Sequence, residues 1–217
     1  MNDAITIIDY GMGNLRSVAK ALEHVGAKVM LTSSADMIRK SSKCVLPGVG
    51  AFGDAVKELK KRNLFHSLRE YIVSGKPLLG ICLGLQLLFE ESEEAERCKG
   101  LSILKGKALR FCEPRLKIPH MGWNQIDAPR TAHHAPPMKC PLLKGIPNGS
   151  YFYFIHSYYV NPLNKQIIAT TTKYETEFTS MIWSDSLFAT QFHPEKSQEV
   201  GLRLLRNFVT YGYSTSD

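Results

Sequence analysis

No apolar run in the chain approaches the ~20 residues that cross a bilayer. The start, MNDAITIIDYG, has an acidic residue at position 3 and no long apolar stretch after a basic segment, so it lacks the pattern of a secretory signal. A cytoplasmic protein without a membrane partner is expected. No C-x-x-C occurs among Cys44, Cys82, Cys98, Cys112 and Cys140, which argues against a zinc ribbon or a disulfide framework and for reduced thiols. Cys98, Cys112, His133 and His134 lack metal-ligand spacing, and no metal is expected. YGMGN at 10–14 begins like a dinucleotide loop, but Arg16 stands where the third glycine belongs, so no nucleotide cofactor is expected. The net charge of +7 lacks a concentrated basic face. KELKKR at 57–62 contains Glu58, and the acidic run EESEEAE lies apart at 90–96, so nucleic acid is not the expected partner.

What is present is a repeating alternation. AITIID at 4–9 reads as a buried strand, and LRSVAKALEHVG as a helix with Leu15, Val18, Ala19, Leu22 and Val25 on one face and Gly26 as its stop. AKVML, KCVLPGVG and PLLGI read as further buried strands. SSADMIRK, GDAVKELKKRN, FHSLREYIVS and LGLQLLFEESEEA read as helices. Strands alternating with helices predict a mostly parallel central sheet flanked by helices, an α/β fold. YFYFIHSYYV, QIIATTTKY, FTSMIWSD and SLFATQF are aromatic and β-branched runs that predict an antiparallel extension, and SQEVGLRLLRNFVTYG a closing helix. At 217 residues one domain, 1–217, is expected. Residues 127–149, with five prolines, read as a loop.

GICLGLQ at 80–86 is the first candidate site. Gly80 and Gly84 flank Cys82 at −2 and +2, the spacing of a nucleophile elbow between strand and helix. A sharp turn strains the central residue and leaves no room for bulk beside it. A helix start favours a thiolate, and the Leu83 N–H would point where an oxyanion forms. A buried structural thiol fits the heptapeptide equally well. QFHPEKS supplies a base. His193 follows an apolar strand, and Glu195 lies two residues on, close enough to orient an imidazole. LPGVGAFGDA adds Gly48, Gly50 and Gly53 at a strand end, where a loop presents N–H groups to an anion or is simply a connection.

These three motifs, in this order, resemble the class I glutamine amidotransferases, a flavodoxin-like α/β family, over nearly the whole chain. YGMGNLRSV, PHMGWNQI and YFIHSYYV further resemble the branch made up of glutaminase subunits of imidazole glycerol phosphate synthases, in histidine biosynthesis. The resemblance implies hydrolysis of glutamine to glutamate and ammonia through a Cys82 thioester, with His193 moving protons and Glu195 orienting it. It implies an oxyanion hole from Leu83 and Val49. Glutamine would be bound by Gly48, Gly50, Gln86, His156, Ser157 and Tyr158. It also implies a heterodimer with a separate (βα)8-barrel cyclase, which receives the ammonia and makes imidazole glycerol phosphate and an aminoimidazole carboxamide ribotide. The complete synthase is then a lyase. Asn14, Met121, Trp123 and Lys196 would lie at or near that interface, although from the residues alone Met121 and Trp123 also fit ordinary core. Family glutaminases are nearly silent until the partner binds its ligand, and the PGVG loop is the expected switch.

Three rival readings use the same residues: a paralogous glutaminase serving surface-sugar amidation or pyridoxal phosphate synthesis, a non-catalytic binding module, and a cysteine peptidase. PHMGWN argues against the pyridoxal branch, the intact Cys82, His193 and Glu195 against the binding module, and Gln86 with Glu195 against the peptidase.

Overall fold

The computed structural model describes residues 4–112, 117–128 and 140–212. Among these, ten strands form one sheet and two more form a small second sheet. The parallel core consists of β1 (Ile5–Ile8), β2 (Val29–Thr32), β3 (Lys43–Gly48) and β4 (Leu78–Cys82), in the order β2-β1-β3-β4. The linking helices are α1 (Leu15–His24), α2 (Ala35–Lys40), α3 (Phe52–Lys61) and α4 (Leu64–Val73). Their ends carry the expected signals. The Asn14 side chain accepts from the Ser17 N–H, and the Ser34 side chain from the Met37 N–H. Gly26 takes a φ of 92°, which an L side chain rarely adopts.

Neighbouring strand residues feed two separate cores, because side chains alternate across a sheet. Ile8, Leu46 and Leu78 pack with α2, α3 and α4; Ile7, Val45 and Leu79 pack with α1 and the final helix α6 (Gln198–Thr210). The expected three-layer α/β arrangement is therefore present. Its physical origin is the double burial of β1, β3 and β4, every residue of which is buried and most of which are apolar.

The sequence reading fails just after Cys82. The helix expected over LGLQLLFEESEEA is a single turn, α5 (Leu83–Gln86), followed by strand β5 (Phe89–Ser92). Glutamates are poor strand formers, yet here they serve an edge strand. The Glu90 carboxylate accepts from the Gly106 N–H, and Glu93, the residue just after the strand, accepts from the Arg110 N–H. The partner strand β6 (Leu104–Arg110) is equally unmarked in sequence, being rich in cations.

The antiparallel extension is as expected, with two refinements. YFYFIHSYYV is two strands, β8 (Tyr151–His156) and β9 (Tyr158–Pro162), which enter different sheets on either side of Ser157. β8 pairs with β7 (His120–Gln125), and β9 joins β6 and β11 (Thr176–Ser184). β11 also pairs with β10 (Ile168–Tyr174). β12 (Leu187–Thr190) is antiparallel to β11 but returns parallel beside β4, so it closes the parallel core. Within 127–149, Pro141–Leu143 form a 3₁₀ turn, while His133 and His134 lie outside the described residues. No described helix is long and apolar enough to cross a membrane.

Candidate active site

β4 lies between β3 and β12, and the site forms at the carboxyl ends of these three parallel strands, where open α/β sheets leave a crevice. Cys82 ends β4 with φ 54° and ψ −105°, a backbone strained for any residue with a side chain. The strain has a visible effect on packing. Ile81 and Cys82 both face the α1/α6 core, so the alternation of the strand breaks at the cysteine. The flanking glycines follow from the same turn. A Cβ on Gly84 would collide with the Leu46 carbonyl, and one on Gly80 would come within 3.0 Å of the Ala189 Cβ. α5 is a single turn, so it supplies backbone N–H groups near Cys82 but little of the summed dipole that a longer helix would give.

His193 leaves β12 beside this turn, anchored by its N–H to the Tyr153 carbonyl at 2.9 Å. Its own carbonyl accepts the Ser197 hydroxyl, and Pro194–Lys196 form a 3₁₀ turn that brings Glu195 back under the ring. Nδ1 donates to the Glu195 carboxylate at 2.8 Å, with the two side chains 2% and 1% exposed. Nε2 is buried without a hydrogen-bond partner, and the Cys82 sulfur is the group that acts on it. Burial alone would hold the imidazole below its usual value. The negative charge of a Cys82 thiolate, with Glu195 behind the ring, outweighs burial and raises it to about 10. The arrangement is a sulfur nucleophile, a histidine whose Nε2 is buried beside it, and a carboxylate that holds Nδ1 and orients the ring.

A cleft of about 300 Å³ opens over the sulfur. Of the residues picked out in sequence, Val49, Gly50, Cys82, Leu83, Gln86, His156, Ser157, Tyr158 and Lys196 line it. The β3/β4 register sets Gly48 opposite Cys82, so the PGVG loop begins at the nucleophile. Gly48 itself lies under the loop rather than on the cleft wall, against the Tyr10 hydroxyl. Gln86 donates to the Tyr158 carbonyl at 3.1 Å and to the Gln191 side chain at 3.3 Å. His193 and Glu195 lie beneath the cleft rather than on its wall.

The interface candidates separate into two places. Met121 and Trp123 point outward from β7, 60% and 47% exposed, which rules out the ordinary-core reading. Tyr153 faces Trp123 across the β7/β8 pair, and the Lys196 ammonium lies 5.6 Å over the Tyr153 ring. Lys196 thus borders both the cleft and this apolar face. Asn14 is exposed at the start of α1. The YGMGN loop that carries it backs the PGVG loop: a Cβ on Gly50 would meet the Met12 side chain at 2.8 Å.

Sequence reasoning missed Gln191, Glu94 and Pro119. Gln191 donates from Nε2 toward the Cys82 sulfur at 3.6 Å, and its position two residues before His193, just past the end of β12, was the available signal. Glu94 lines the cleft and accepts the Phe52 N–H at 2.7 Å, but it was hidden in an acidic run read as helix. A larger cavity of about 570 Å³ between Cys140–Asn148 and Ala169–Thr170 contains no acid–base pair among its described lining residues.

The chain belongs to the class I glutamine amidotransferase family, whose model matches residues 6–211. The individual relatives are more specific. The chain is 48% identical over 210 residues to imidazole glycerol phosphate synthase subunit HisH of Syntrophotalea carbinolica, covering 94% of this chain and 98% of that one. It is 47% identical to the HisH subunit of Methanocaldococcus jannaschii, covering 94% and 98%. Among solved structures it resembles PurLQS from Thermotoga maritima with TM-score 0.74 at 16% identity, covering 97% and 99%. That likeness concerns the fold alone.

Proposed function

We infer that this chain is the glutaminase subunit of imidazole glycerol phosphate synthase. It hydrolyses glutamine to glutamate and ammonia and passes the ammonia to a cyclase subunit. The observation that carries this is the 47–48% identity to HisH subunits over 94% of the chain, together with Cys82 and His193 at the ends of adjacent parallel strands.

The Cys82 thiolate attacks the carboxamide carbon of glutamine in the cleft. The resulting oxyanion is met by the Leu83 N–H and by an N–H of the loop at Val49. The His193 imidazolium gives its Nε2 proton to the leaving nitrogen, and ammonia departs from a γ-glutamyl thioester. Water enters, His193 takes its proton, and attack on the thioester carbon releases glutamate and restores the thiolate. Glu195 stays ionised throughout and holds Nδ1. Gly50, Gln86, His156, Ser157 and Tyr158 form the pocket for the amino-acid end of the substrate.

The exposed apolar face of Met121 and Trp123, continued by Tyr153 and Lys196 to the edge of the cleft, is the docking face for the cyclase, a (βα)8 barrel in this reading. The PGVG loop is the switch. Gly50 has a φ of 102°, and Val49 is exposed at the mouth of the site, so rotation of one peptide there turns an N–H toward or away from the oxyanion. Co-purification with the histidine-pathway cyclase, followed by transfer of glutamine-derived nitrogen into its product, tests the reading. Transfer only to a sugar-pathway synthase would replace it with the paralogous function.

A further inference from the structure

A single line of hydrogen bonds runs from the inner face of β7 to the nucleophile, and its middle consists of two buried histidines. The Tyr158 carbonyl only accepts, so His156 carries its proton on Nδ1 and donates at 2.8 Å. A neutral imidazole has one N–H, so His156 Nε2 accepts. Its partner at 2.9 Å, His120 Nδ1, therefore holds the proton. His120 Nε2 in turn accepts from the Asn124 amide at 3.2 Å. The Asn124 amide is itself oriented, since it donates to the Lys173 carbonyl and accepts from the Gln125 N–H. Beyond Tyr158 the line continues through Gln86 and Gln191 to the Cys82 sulfur.

Both rings are packed among aromatic neighbours. His120 is stacked between Tyr174 at 4.0 Å and Phe154 at 4.9 Å, and His156 packs against Phe111 and Phe178. Burial keeps both rings uncharged at neutral pH, holding His120 near 4 and, with the neighbouring His120 and His193 adding to the effect, His156 near 3. On β7, His120 and Asn124 point inward while Met121 and Trp123 point outward. The strand that presents the apolar face is thus tied through its other face to the wall of the cleft.

We propose that His120 is a positioning residue for glutamine: acting through His156, it fixes the Tyr158 carbonyl, and with it the segment His156–Tyr158 that walls the substrate cleft. The proposal rests on the glutaminase reading of that cleft. His120 touches no reacting atom, so its loss should weaken substrate binding more than turnover. Removing one partner from a buried neutral hydrogen bond predicts about a tenfold rise in KM for glutamine with kcat within about threefold.

The test uses the complete complex with the cyclase and its ligand. His120→Phe keeps the stacking and removes the donor. His120→Asn places an amide N–H near the former Nδ1 and is expected to bring KM back to within about threefold of wild type. Unchanged KM in a folded His120→Phe, a fall in kcat alone, or an Asn variant as impaired as the Phe variant would overturn the proposal. Imidazole ¹⁵N spectra of the unmodified protein decide independently of the variants' folding and of the glutaminase reading. Both His120 and His156 must appear as neutral Nδ1–H tautomers, and a His156 protonated on Nε2 refutes the chain. Absence of glutaminase activity in wild type would instead strike at the functional reading.

Discussion

Replacing Glu195 by Gln keeps the shape of the residue beneath His193 and removes its charge. The pair is buried, with a 2.8 Å contact and exposures of 2% and 1%, so water cannot take over the role of the carboxylate. His193 is raised from 6.5 to about 10, which corresponds to a preference on the order of 5 kcal/mol for the imidazolium. Cys82 and Glu195 share that preference. A hydrogen bond to a charged group is worth roughly 1.5–3 kcal/mol, or about 10–10² in rate, and a wrong imidazole tautomer extends the loss toward about 10⁴. We therefore expect kcat for glutamine hydrolysis, measured with the cyclase and its ligand, to fall by about 10² to 10⁴. KM should move less than about threefold, because neither His193 nor Glu195 lines the cleft. The His193 titration, followed by NMR, should move down from about 10. A folded value above the unfolded one means that the bound proton stabilises the protein fully below about pH 6.5 and that this contribution disappears as pH rises toward about 10. In Glu195→Gln the loss is complete at a lower pH. Wild-type kcat in this variant would refute the role given to the carboxylate.

Other substitutions probe the elbow, the pocket and the docking face. Gly84→Ala sets a Cβ against the Leu46 carbonyl, which is held in the sheet; a cost of about 1–3 kcal/mol should lower Tm by roughly 2–4 °C per kcal/mol and reduce activity, and an unchanged melt would contradict the packing argument. Gln86→Ala removes donors to Tyr158 and Gln191, and should lower kcat/KM by about tenfold, mainly through KM, as read from steady-state kinetics. Trp123→Ala removes a side chain that is 47% exposed. It should leave the Tm of the isolated chain within about 2 °C but weaken cyclase binding by about 2 kcal/mol, roughly 30-fold in a titration. Unaltered affinity would move the docking face elsewhere.

Much of this was legible in the sequence because it rests on local rules. Largely apolar runs marked β1, β3 and β4, since both faces of these strands are buried. Gly80 and Gly84 announced the strained turn at Cys82, and the two-residue step from His193 to Glu195 is short enough for one 3₁₀ turn to close. What escaped depends on pairing between distant segments. FEES and LKGKALR have no strand signal of their own and become strands only by joining each other and β9. The divergence of β8 and β9 at Ser157, which opens the cleft wall, is invisible in an unbroken aromatic run. Gln191 and His120 act through partners 109 and 36 residues away, distances at which periodicity carries no information.

The central claim is that Cys82 forms the thioester. Its most direct test is the glutaminase rate of Cys82→Ala in the complex with cyclase and ligand, beside wild type. The account predicts a fall of at least about 10⁴, to background, with the complex still assembled, because removing a nucleophile abolishes the covalent route. Hydrolysis within about tenfold of wild type would contradict it, whatever the rest of the geometry suggests.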